Sequence, residues 1–89
     1  MEKYKLSSYH KSGSLWGTSG GWLIITEQEY VIKYLFLTVA TFEADKTLVV
    51  KLSSWLSGVG VSLDDGEKSI DLYLLPRTAK NLYQRLGIG

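Results

Sequence analysis

Apolar and polar side chains alternate with a period of two through most of residues 22–74, a pattern suited to an antiparallel sheet with one buried face. In GWLIITEQEYVIKY, Trp22, Ile24 and Thr26 fall on one side of an extended chain, and Gly21, Leu23 and Ile25 on the other. A polar turn at Glu27, Gln28 and Glu29 separates them from Tyr30, Ile32 and Tyr34, which alternate with Val31 and Lys33. Leu37, Val39 and Thr41 then alternate with Thr38, Ala40 and Phe42, and Leu48, Val50 and Leu52 with Val49 and Lys51. Trp55, Val59, Val61 and Leu63 share one parity, with Gly58 and Gly60 on the opposite face, where a bend or a close backbone approach needs no side chain. Ile70, Leu72 and Leu74 close the series. β-branched and aromatic residues dominate these runs, and a helix would restrict most of their side chains.

Polar turns punctuate the runs at residues 43–46 and at Asp65 and Gly66, the latter pair suited to positive φ in a hairpin. Upstream, Leu15 to Thr18 and a weaker segment from Tyr4 to Tyr9 read as further strands. The period changes at the tail, where Ala79, Leu82, Tyr83 and Leu86 recur at helical spacing between Pro76, at home in a first turn, and Gly87, a natural stop. A lone helix must bury its apolar stripe, and a strongly bent sheet has an open mouth to cover. The expected fold is therefore mainly β: a partly open antiparallel barrel of about seven strands, capped by one C-terminal α-helix.

The chain's 89 residues make room for one domain, expected over 1–89. Ten Lys and Arg stand against nine Asp and Glu, so no strong field draws in nucleic acid, and no nucleic-acid partner is expected. Cysteine is absent, which excludes disulfides and thiolate chemistry and permits a reducing compartment. MEKYKLSSYH lacks the apolar run of a secretory signal, and residues 35–42 are far shorter than the roughly 20 residues that span a bilayer. The expectation is a cytoplasmic protein, or one peripheral to a membrane.

Motifs for chemistry are missing. His10 stands alone, without cysteine or a carboxylate cluster near it, and reads as a rim histidine. Asp64, Asp65 and Glu67 lack the ligand spacing of a calcium loop and read as a solvated turn. Glycines 13, 17, 20 and 21 match no phosphate-binding pattern and precede no helix. No enzyme, metal or cofactor is expected. Among the tryptophans, Trp16, Trp22 and Trp55, the last is placed in the core by its parity.

Residues 17–34, GTSGGWLIITEQEYVIKY, resemble the core of GRAM and bacterial pleckstrin-homology (PH-like) domains at Gly21, Leu23, Ile25, Thr26, Tyr30 and Ile32. LSSWLSGVGVSLDDGEKSIDLYLL looks like that group's later strand pair, and RTAKNLYQRLG like its capping helix. The resemblance implies a seven-stranded bent barrel with Leu23 and Ile25 in the core and Trp22 outward. It also implies a non-catalytic module for a protein or peptide partner, a second copy of the chain included. Docking is expected on a strand edge or on an aromatic patch drawn from Trp22, Tyr34, Phe36 and Tyr73. Phosphoinositide-binding members carry several basic residues in the loop between the first two strands, whereas HKSGS and TSGG here hold Lys11 as their one Lys or Arg. The alternative is a membrane-surface module binding anionic lipid headgroups through Lys11, Lys33 and Lys51.

Overall fold

The computed structural model describes residues 2–54 and 58–88. Among these, nine strands and one helix follow in order: β1 (Glu2–Lys5), β2 (Ser8–Lys11), β3 (Thr18–Ser19), β4 (Trp22–Ile25), β5 (Glu29–Tyr34), β6 (Leu37–Glu43), β7 (Leu48–Ser54), β8 (Gly58–Asp64), β9 (Ser69–Leu74) and α1 (Pro76–Leu86). A single 3-10 turn, Ala44–Lys46, joins β6 to β7. The strands form two antiparallel sheets, ordered β1-β4-β5-β6 and β3-β2-β9-β8-β7. Trp55, expected in the core, lies outside the described residues.

The two sheets share a corner. At Leu6 and Ser7 one extended run passes from the first sheet into the second, and at Gly20 and Gly21 its neighbour passes back. Backbone hydrogen bonds continue across the bend, from Leu6 N–H to Gly21 O at 3.0 Å and from Gly20 N–H to Ser7 O at 2.8 Å. The nine strands thus trace seven extended runs, two of them bent. Gly21 has φ +100°, and a Cβ there would stand 3.0 Å from the Lys33 carbonyl oxygen, so the corner requires a glycine. On the other side β6 and β7 do not pair, which leaves the assembly partly open rather than a closed barrel.

The inward faces meet in one core. Leu23, Ile32 and Phe42 from the first sheet, Val61, Leu63 and Leu72 from the second, and Leu82 from α1 are each at most 1% exposed. The helix covers the mouth as its stripe predicts: Ala79, Leu82 and Tyr83 are buried, and Leu86 packs half-buried against them. Tyr83 reaches through the core, its hydroxyl donating to Gly60 O at 2.9 Å. Gly60 lies so close to β9 that a Cβ would come within 1.7 Å of Leu72 O. After Leu86, the N–H groups of Gly87 and Ile88 return to the carbonyls of Gln84 and Tyr83, closing the helix end. Arg85 pairs with Glu2 and ties α1 to β1.

Three local expectations change. Residues 15–17 are not strand; β3 begins at Thr18. The preceding chain turns back on itself, with Ser14 N–H bonded to Lys11 O and His10 Nε2 2.8 Å from Ser14 O. The segment from Tyr4 to Tyr9 is two strands, because buried Leu6 sits at the corner. The alternation of β6 breaks at a bulge, where Ile32 faces Ala40 and Lys33 faces Thr38, leaving Val39 extra.

Candidate binding surface

The outer face of the first sheet is assembled by register. Lys5 faces Trp22 across β1 and β4, and Trp22 faces Lys33 across β4 and β5, so the three side chains stand in one row. Trp22 is 41% exposed, while its neighbours Leu23 and Ile25 are buried, the orientation that the resemblance implied. Lys3, in the next row, brings its ammonium 6.0 Å from the Trp22 ring. The charge reverses along the sheet. At the far end Glu27, Gln28, Glu29, Glu43, Ala44 and Asp45 line a shallow depression. Thr26 closes that turn, its hydroxyl accepting from Glu29 N–H at 3.0 Å.

Beyond Lys33 the β5–β6 hairpin ends in a two-residue turn, Leu35 and Phe36. Such turns ordinarily use Asn and Gly because φ must be positive. Here Leu35 takes φ +56°. The turn holds Leu35 73%, Phe36 86% and Leu37 58% exposed. At a second site, the loop between β2 and β3, Leu15 and Trp16 are 89% and 82% exposed. The bases of the two projections touch: Tyr34, beside the hairpin turn, meets Tyr9 on β2 edge to face at 6.3 Å.

Of the aromatic residues expected to form one patch, Trp22 and Phe36 are exposed on or beside this face. Tyr34 is out of phase with Trp22 and packs against the core. Tyr73 belongs to the outer face of the second sheet, opposite Ser8 and Gly60. The three lysines of the lipid alternative are likewise not brought together. Lys33 is in the first sheet, whereas Lys11 on β2 and Lys51 on β7 are separated by β9 and β8 in the second. Lys51 points its ammonium 4.8 Å from the Tyr83 ring. Lys5, Leu15, Leu35 and Leu37 were missed. The signal for the hairpin residues was the uninterrupted YLFL run, which carries no turn residue.

At the acidic depression the Lys46 ammonium is pushed up by its hydrogen bond to Glu43, and the other perturbed ionisations lie off the outer face of the first sheet. The Asp65 carboxylate accepts from the Lys68 ammonium, then from the backbone N–H groups of Lys68 and Glu67, and is held down to about 2. Glu2 is held low by the Arg85 guanidinium and next by the Tyr4 hydroxyl. Tyr4 is pushed up, first by burial and then by donating to Glu2. Among the described residues no polar or charged side chain is buried, and no group of three or more metal-capable side chains gathers. No protein-family model, curated protein or solved structure matches the chain.

Proposed function

We propose that this chain is a PH-like, non-catalytic binding or assembly module that engages a protein or peptide partner through apolar side chains displayed on one face. One observation carries the reading: a leucine in the left-handed region holds Leu35 and Phe36 in solvent, beside Trp22, where a polar turn would be cheaper. Full burial of either side chain against a partner contributes about 1.5–3 kcal/mol, so the hairpin end and Trp22 can serve as anchors. The test is a pull-down from the source cell with wild type, Trp22→Ala and Phe36→Ser. Both variants keep the core, and both are expected to lose partners that wild type retains; equal recovery by all three defeats the reading.

A second reading rests on the Lys5–Trp22–Lys33 row beside that hairpin, with the acidic depression at the sheet's far end. Anionic lipid headgroups would meet Lys5 and Lys33 while Leu35 and Phe36 enter the interface. Co-sedimentation with anionic vesicles at low and physiological salt separates the two: binding at either salt favours lipid, and its absence at both removes lipid.

A further inference from the structure

Between α1 and the β7–β8 pair the surface opens into a groove of about 510 Å³, within the size range of small-ligand sites. Its apolar wall comes from Val59 on β8 and from Pro76, Ala79 and Tyr83 on α1. The Tyr83 hydroxyl is engaged with the Gly60 and Leu52 carbonyls, so the ring offers the groove its hydrocarbon surface. Lys51 enters from the strand side and Lys80 from the helix side, and no Asp or Glu is among the described residues that line it. Lys51 holds a core-facing position, since its partner across the ladder is the fully buried Val61. Its ammonium lies 4.8 Å from the centre of the Tyr83 ring, while the residue as a whole stays exposed. Ion pairs among the described residues engage Lys46, Lys68 and Arg85 but neither Lys51 nor Lys80. The depression on the first sheet is the electrostatic opposite, lined by Glu27, Glu29, Glu43 and Asp45.

We propose that this groove binds a small anionic amphiphile, a medium-chain carboxylate, with its chain along Val59, Ala79 and Tyr83 and its head between Lys51 and Lys80. Charge complementarity selects the occupant: two cations beside an apolar wall match one negative group on a hydrocarbon body. A cationic amphiphile would meet like charge, and a wholly polar anion would leave the wall in water. The space suits a single chain rather than a folded surface. Both lysines are exposed, so each contributes only a few-fold to affinity and salt screens the attraction. Binding is therefore expected at high micromolar concentration. The site lies on the second sheet and α1, apart from Trp22 and Phe36, and goes beyond the function proposed above.

The probe is decanoate at submicellar concentration, titrated into the isotope-labelled full chain and followed by amide resonances, with decanol and decyltrimethylammonium as controls for charge. Decanoate is expected to shift Lys51, Val59, Ala79, Lys80 and Gln84 saturably. Decanol is expected to bind at least about fivefold more weakly, and decyltrimethylammonium not at all. Lys51→Gln combined with Lys80→Gln changes only exposed side chains, and is expected to weaken decanoate about tenfold while leaving decanol unchanged, which separates lost attraction from lost folding. Raising salt from low to physiological should weaken decanoate alone. No saturable shift at these residues, equal binding of decanoate and decanol, or an affinity indifferent to the double variant overturns the inference. So does decanoate lodging at Leu35 and Phe36 instead, or a peptide of alternating Glu and Leu filling the groove where decanoate does not, which would assign it to a protein partner. Trp22→Ala and Phe36→Ser leave the groove intact, so failure here is distinguishable from failure of the partner pull-down.

Discussion

Gly60 shows how a single residue is tied to its place. A methyl group there meets Leu72 O at 1.7 Å, and the carbonyl of Gly60 accepts the Tyr83 hydroxyl, so neither β9 nor α1 can withdraw freely. Gly60→Ala is expected to lose at least about 2 kcal/mol in urea unfolding. Gly66→Ala makes a control: φ is +92° but nothing lies within 4 Å, so its expected loss is only about 1 kcal/mol. The close approach at Gly60 was legible as a glycine on a strand face opposite Val59 and Val61. The left-handed Leu35 was not, because leucine carries no local preference for positive φ, and it is the pairing of β5 with β6 that imposes the turn.

Among the elements, the β8–β9 turn is the one whose stability should respond most clearly to acid. Asp64 accepts Gly66 N–H at 2.8 Å, and Asp65 accepts from both Glu67 and Lys68, so two carboxylates shape the same loop. The Asp65 carboxyl titrates near 2 in the fold, below its unfolded value of about 3.9. The unfolded chain therefore binds more protons between those values, and this contribution is full above about pH 4 and lost as pH falls through about 2. Asp65→Asn is expected to flatten the fall in urea midpoint across that window; an unchanged slope would show that the turn does not contribute to acid stability. The DDGE turn was readable because Asp and Gly act locally. The limits of β3 were not, since the hydrogen bonds that turn residues 11–14 stop Leu15 and Trp16 from joining a ladder.

For the molecule as a whole, α1 completes the core rather than decorating it. Leu82 is fully buried under both sheets, and Leu82→Ala is expected to lose about 2–5 kcal/mol, read from the urea midpoint. Removing residues 76–88 should go further and leave secondary structure without fixed packing, seen as retained far-UV and lost near-UV circular dichroism with dye binding. Period-two and 3.6-residue patterns determined the strands from residue 22 onward, the helix, and which faces of β4, β9 and α1 turn inward, because those choices follow from side-chain direction along a local backbone. What covers each outer face was decided by tertiary structure alone. Cross-strand register put Trp22 between Lys5 and Lys33, turned Tyr34 to the core, scattered the three predicted lysines and left β7 unpaired, since register depends on contacts between segments far apart in the chain.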